Sequence, residues 1–434
     1  MIHSTLDAQL RQLLNEDAPG AGIGVMHAGE TIHSAGYGLA NVEWHIPIDT
    51  DTAFRVGSVT KPFTALLTMM LVADGQIALD APITDYLPEF HSAGHIVTVH
   101  HLLTHTSGIA SYTNAPDFFT HKCLFSATTQ EMLTEIAAVP FEFKPGTAYN
   151  YNNSGYHLLG MIIERVTGMG YADFLRERIL TPCAMHNTLH PKDDSVIPRM
   201  ANGYRYEDET LLPANYLHIS RAFAAGALIT TVNDLLRWSQ KLWAGEIVPL
   251  DTLTHMGTSA VLENGEETGY GYGWGNVTYE GRTVMSHSGG IPGFSAQYVH
   301  FVEDDLTIIV LANVENTIDT IKLVTTVARE MFALPAVKHR LYMLVGDNLR
   351  RIIGAFETQG ATVTIKIDDE GKIIWESPMG TTRLIPINKF QLYDADNPER
   401  TVTFSDPDDS PHALYTQIEL QSPLSRPVLL RRIL

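Results

Sequence analysis

Hydrophobic positions along the chain follow two periods that alternate in blocks. Leu6, Leu10, Leu13 and Leu14 recur at helical spacing and predict an amphipathic helix near the N-terminus. From Gly22 to Ala40 the period shortens. Ile23, Val25 and Ile32 read as strand positions, and His27-Ala28-Gly29-Glu30 supplies the turn of a β-hairpin. Pro47 to Thr52 is polar and loop-like. The helical period returns at Ser58, where Phe63, Leu66, Leu67, Met70 and Leu71 repeat until Asp74-Gly75, a helix-end signal. Proline is tolerated in a first turn, so Pro62 puts the helix start at or just around Ser58.

Between Leu79 and Thr230 the pattern is mainly helical with many loops. Val99 to His105, Gln130 to Val139, Gly155 to Thr167 and Tyr171 to Leu180 are the clearer helices, and Thr231 to Leu242 follows. Strand patterns then reappear at Thr283 to Ser286, Ala296 to Val302 and Thr307 to Ala312, with Gly289 to Gly293 as a glycine-rich turn and Leu323 to Phe332 as a closing helix. Strands at both ends with helices between predict an α+β fold, an α/β sandwich. One antiparallel sheet is drawn from both chain ends, flanked by helices and carrying an inserted helical subdomain. Beyond Pro335 short alternating segments separated by turns (Asp368-Asp369-Glu370-Gly371, Ser405 to Ser410) predict a small all-β barrel or sandwich. The expected organisation is a first domain over 1–335, a linker over 336–346 and a β domain over 347–434.

Composition narrows the classes of function. The 434 residues are 44% hydrophobic and 18% charged, enough for a sizeable core without disulfides. Lys plus Arg is 29 against 49 for Asp plus Glu, a formal net charge of -20 that suits neither nucleic acid nor an anionic membrane surface. The two cysteines, Cys123 and Cys183, are read either as one disulfide or as two free thiols. No stretch approaches the roughly 20 apolar residues that span a bilayer, and the N-terminus lacks a signal-peptide pattern. The expectation is a cytoplasmic chain, or a periplasmic or secreted one if a leader was removed.

Three motifs carry candidate chemistry. In Ser58-Val59-Thr60-Lys61 the outer residues are three apart and share a helix face. A serine hydroxyl becomes a nucleophile when a base takes its proton, and a lysine can be that base if burial lowers its pKa. N–H groups at the helix start can help to hold an oxyanion. Tyr151-Asn152-Asn153 offers a phenol that a neighbouring ammonium could help to ionise, and an amide that can orient both Lys61 and a substrate. His287-Ser288-Gly289-Gly290 is expected on a strand edge that leads into a glycine turn. There a substrate could pair as an added strand, the N–H of Gly290 could be the second oxyanion donor, and His287 could supply a hydrogen bond or partial positive charge.

The order Ser-x-x-Lys, Tyr-x-Asn, His-x-Gly resembles the class C β-lactamase and D-alanyl-D-alanine carboxypeptidase superfamily, with its D-aminopeptidase and esterase relatives. The resemblance covers Phe54 to Leu87, Val97 to Ile109, Pro145 to Gly168, Ala224 to Gly245 and Tyr270 to Asn313. It implies Ser58 as nucleophile, Lys61 and Tyr151 in proton transfer, and Asn153 in positioning. His287 and Gly289 would bind substrate, and the N–H groups of Ser58 and Gly290 would form an oxyanion hole. Many family members carry lysine where His287 stands, which weakens a lactamase reading and leaves peptidases and esterases as good fits. The β region resembles a lipocalin-like barrel appended to some relatives. The implied activity is hydrolysis of amide bonds in small peptides or peptide-like molecules, D-residues included, through an acyl-enzyme. Lactam, ester and transacylation chemistry are enzymatic alternatives, and an inactive sensor is the non-enzymatic one. Expected partners are a small-molecule or short-peptide substrate, with homo-oligomerisation left open. No cofactor is expected. His101 and His105 have metal-ligand spacing on a predicted helix, but no third ligand is evident, so no metal is expected.

Overall fold

The computed structural model describes residues 2–192, 195–339, 342, 344, 347–358, 361–378, 380–388, 390–405 and 414–433. Two compact units divide the chain, Met1–Val324 and Thr325–Leu434. In the first, six strands build one antiparallel sheet: β1 (Ala21–His27), β2 (Glu30–Tyr37), β3 (Gly275–Tyr279), β4 (Arg282–Ile291), β5 (Phe294–Phe301) and β6 (Leu306–Ala312), in the order β2-β1-β6-β5-β4-β3. The continuous apolar run of β6 is buried along its whole length, as a strand covered on both faces should be. Its partners come from opposite ends of the unit, with Ala312 opposite both Ala21 of β1 and Ser295 of β5.

The helices that matter here are α1 (Ile2–Leu13), α2 (Thr60–Ala73), α3 (Asn153–Thr167), α4 (Ile219–Gly226) and α5 (Val232–Trp243). Leu6, Leu10 and Leu14 are buried, but Leu13, the last residue of α1, is 39% exposed, contrary to its expected place on the apolar face. α2 is buried nearly all round, the mark of an interior helix. Its polar members are satisfied inside. Thr64 Oγ1 donates to the Ala224 carbonyl at 2.6 Å and Thr68 Oγ1 to the Thr64 carbonyl at 2.9 Å. α3 starts at the N-cap Asn152, whose side chain accepts from Gly155 N at 2.8 Å, and stops at Gly168 in the left-handed conformation.

Two expected elements change. The helix expected over Val99 to His105 ends at Leu103, and His105 adopts φ 59° outside it. His101 and His105 therefore do not share a helix face. His101 instead caps the helix start, with Nδ1 accepting from Thr98 N at 3.2 Å. The glycine turn expected over Gly289 to Gly293 is strand as far as Ile291, and only Pro292 and Gly293 make the turn. Cross-strand pairing with β5 overrides the glycines' loop preference. Cys123 and Cys183 are both buried free thiols. Among the described residues no helix is long and apolar enough to cross a membrane.

In the second unit eight strands close into an antiparallel barrel: β7 (Gly354–Thr358), β8 (Ala361–Ile367), β9 (Ile373–Ser377), β10 (Gly380–Pro386), β11 (Gln391–Asp394), β12 (Thr401–Ser405), β13 (Gln417–Gln421) and β14 (Val428–Arg432). Pairing of Phe356 with Arg432 closes the ring, and Phe356, Ile365, Leu392, Val402, Phe404 and Ile418 fill its core. Most of the expected turn Ser405 to Ser410, and positions 340, 341, 343, 345 and 346 of the expected linker, lie outside the described residues.

Candidate active site

Ser58 lies in a single 3-10 turn, Gly57–Val59, that runs directly into α2. Gly57 holds φ 50°, and a Cβ there would sit 2.7 Å from the Gly290 carbonyl oxygen and 2.9 Å from its nitrogen. A Cβ on Gly289 would lie 2.0 Å from the Val56 carbonyl oxygen. Only glycine permits so close an approach, so the Ser58 turn lies flush against β4. That flank of β4 is open, because β3 pairs only with Arg282 to Ser286. The hairpin to β5 closes with Ile291 opposite Phe294. The alternation of an antiparallel ladder then directs the Gly290 N–H away from β5, toward the open edge. Gly57, Ser58, Asn153 and Gly290 border one cleft of about 390 Å³.

Lys61 stands one helical turn after Ser58 and is fully buried. Its Nζ lies 3.0 Å from Ser58 Oγ, 2.8 Å from Asn153 Oδ1 and 2.9 Å from the Ala225 carbonyl oxygen. The amide oxygen and the carbonyl can only accept, so they take two N–H bonds. The third contact is a hydroxyl, which can accept from an ammonium or donate to the lone pair of an amine. Burial pushes the Lys61 pKa well below its ordinary value, toward the amine. The Ala225 carbonyl is free for this contact because α4 ends at Gly226, which leaves its last carbonyls without an intrahelical donor. The carbonyls of Ala224 and Ala225 are taken instead by Thr64 and Lys61.

The Tyr151 phenol lies beside Ser58, and its ring centroid is 4.8 Å from Lys61 Nζ. Burial raises the Tyr151 pKa, whereas the sequence reading expected a neighbouring ammonium to ease ionisation. Desolvation penalises every charge, so here it favours a neutral amine beside a neutral phenol. Asn153 opens α3, with its N–H on Ser111 Oγ and its Nδ2 on Thr113 Oγ1, both at 3.1 Å. The tether leaves its Oδ1 aimed at Lys61.

His287 differs most from expectation. Its Nδ1 is 2.6 Å from the Ser288 carbonyl oxygen, an acceptor, so Nδ1 carries the proton. Its Nε2 then accepts from the Tyr270 hydroxyl at 2.9 Å. Burial holds its pKa down at about 3. The imidazole is therefore neutral with both nitrogens engaged, which corrects the expected partial positive charge near the substrate.

The structure thus brings Ser58, Lys61, Tyr151, Asn153 and the Gly289-Gly290 edge together, with His287 behind them. Sequence reasoning missed Ser111, Thr113, Tyr270, the Ala225 carbonyl and His105, whose ring lies 4.3 Å from that of Tyr151. None of these carries a local signal, since each acts through a partner distant in sequence. Among the described residues no three His, Cys, Asp or Glu side chains are grouped to hold a metal ion.

Comparison with known proteins adds a family. The Beta-lactamase family model matches residues 6–329. Penicillin-binding protein 4* of Bacillus subtilis (strain 168) is 32% identical over 306 residues, 66% of this chain and 66% of that one, so the match spans just under two thirds of that relative. The octameric penicillin-binding protein homologue from Pyrococcus abyssi superposes with a TM-score of 0.69 at 25% identity over 99% of each chain. The D-amino acid amidase from Ochrobactrum anthropi SV3, complexed with D-phenylalanine, gives a TM-score of 0.66 at 25% identity over 76% of this chain and all of the other.

Proposed function

Since this chain belongs to the Beta-lactamase family, whose esterase, D-aminopeptidase and amidohydrolase relatives are serine hydrolases, we propose that it hydrolyses amide bonds of small peptides or peptide-like substrates through an acyl-enzyme on Ser58. One observation carries the reading. A fully buried lysine has two valences taken by obligate acceptors and its third directed at the Ser58 hydroxyl. As an amine it is the base that a serine nucleophile needs.

In acylation Lys61 takes the Ser58 proton as Oγ attacks the substrate carbonyl carbon. The carbonyl electrons move onto oxygen, and the oxyanion is held by the N–H groups of Ser58 and Gly290. The proton on Lys61 passes by way of the Tyr151 hydroxyl to the leaving nitrogen, the C–N bond breaks and the amine departs. Deacylation reverses the path. Water gives a proton to the same pair, its oxygen attacks the ester carbonyl, and Ser58 regains its proton as the acid leaves. Asn153 keeps Lys61 in place throughout. His287, being neutral, keeps the strand edge in shape and does not anchor a carboxylate.

The test is covalent capture joined to turnover. A fluorophosphonate probe should add its mass at Ser58 and leave the Ser58→Ala protein unlabelled. A panel of D- and L-aminoacyl amides, acyl-D-Ala-D-Ala peptides, lactams and p-nitrophenyl esters should show turnover that vanishes in Ser58→Ala. Undiminished turnover by that variant would refute the assignment.

A further inference from the structure

The cleft that holds Ser58 is uneven in charge. Among its lining residues Arg221 is the one cation and Glu315 the one carboxylate. Arg221 is 6% exposed and already occupied. Its Nη1 donates to both carboxylate oxygens of Glu135 at 2.9 Å, and its Nε donates to the Phe125 carbonyl at 3.1 Å. Lys61 is enclosed by its three partners, and His287 has both nitrogens engaged. Among the described residues that line the cleft no cation is left over to receive a substrate carboxylate.

Glu315 is the opposite case. Its backbone is anchored, with N donating to the Tyr204 carbonyl at 3.1 Å and its own carbonyl accepting from Thr317 Oγ1 at 3.2 Å. Its carboxylate, half-buried on the cleft wall, has no hydrogen-bond or ion-pair partner among the described residues. The register of the sheet gives the scale of its separation from the chemistry. Ser295 pairs with Gly290 on one side and with Ala312 on the other, so the end of β6 stands two strand spacings, roughly 10 Å, from Gly290. Glu315 follows Ala312 by three residues.

We infer that Glu315 selects substrates that carry a cationic group remote from the scissile carbonyl, on the order of 10 Å or more away, such as a primary ammonium on a flexible acyl chain. The inference rests on the hydrolase reading above and deepens it. A half-buried carboxylate without a counter-ion gains from pairing more than a fully solvated one does. The net charge of -20 also draws cationic substrates toward the protein and repels anionic ones.

The test compares matched pairs of p-nitrophenyl esters, 8-aminooctanoyl with its N-acetyl derivative and β-alanyl with its N-acetyl derivative. The wild-type kcat/KM should favour the long free amine over its acetylated twin by about fivefold, the upper scale of one partly screened ion pair. The short pair should show little preference. Added salt should erode the long-chain preference, and so should raising the pH through the amine's own pKa. Glu315→Gln should lower the ratio of free to acetylated long ester toward unity, and Glu315→Lys should invert it in favour of a succinylated amine. An unchanged ratio in Glu315→Gln, or a wild-type ratio indifferent to salt, overturns the inference even if every ester is hydrolysed. Absence of turnover for all four esters together with no probe on Ser58 removes the hydrolase reading and the inference with it.

Discussion

The floor and the wall of the cleft obey different rules. On the floor the polar groups of Lys61, Asn153 and His287 are each tied to others, while His105 Nε2, buried beside Tyr151, is the exception, with no partner among the described residues. Lys61 holds three partners, Asn153 is tethered by Ser111 and Thr113, and His287 is clamped between Ser288 and Tyr270. On the wall the Glu315 carboxylate has no partner among the described residues, and the Gly290 edge is exposed. Low dielectric explains the floor. An unpaired polar atom there costs several kcal/mol (about 2–7), so most of these groups satisfy one another, and burial pushes both ionisable partners of Ser58 toward neutrality. The wall can leave groups unpaired because water or substrate will pair them. The floor is thus built for one reaction, and the wall is where substrate choice can be written.

Changes on the floor should cost rate whatever the substrate's charge. Lys61→Met removes the base while keeping an unbranched chain in the buried slot. It should lower kcat by roughly 10²–10⁴-fold for cationic and neutral esters alike. A loss confined to cationic substrates would mean that Lys61 is felt as a charge and not as a base, and would undo the contrast with Glu315.

Gly289→Val probes the junction of the two regions. The added Cβ would meet the Val56 carbonyl oxygen at 2.0 Å, so β4 and the nucleophile turn must part. Separating Ser58 from Gly290 should cost kcat about 10²–10³-fold, the worth of one oxyanion donor. Probe labelling should slow in parallel while the circular dichroism spectrum persists. Wild-type rates would show that the strand edge takes no part.

Acid should destabilise the buried interior as a whole, the floor included. Burial holds the pKa values of His157, His287 and His300 at about 3, against roughly 6.5 in an unfolded chain. Between these values the unfolded state binds protons that the native state does not, so this stability is present above pH 6.5 and is lost as pH falls toward 3. At pH 5 the loss is about 2 kcal/mol for each such histidine. Melting temperatures measured from pH 7.5 to pH 5 should fall steeply, and a flat profile would mean that these imidazoles are not buried neutral.

Much of this was legible in the sequence, and the limit of legibility has a physical form. The spacing of Ser58 and Lys61 is local, because any helix puts residues three apart on one face. The strand runs of β1 and β6 and the apolar faces of α2 and α5 are likewise local patterns, and their order along the chain sufficed for one sheet made from both ends of the first unit. What remained was decided by contacts between residues far apart in sequence. A lysine's spacing says nothing of its charge, which depends on how much water its neighbours exclude. A histidine before a glycine pair looks like a binding group until Tyr270 and Ser288 take both its nitrogens. Gly289 to Ile291 read as turn until pairing with β5 makes them strand. Propensity and spacing belong to the chain alone. Desolvation, tautomer and strand pairing are properties of the surroundings, and those exist only once the chain has folded.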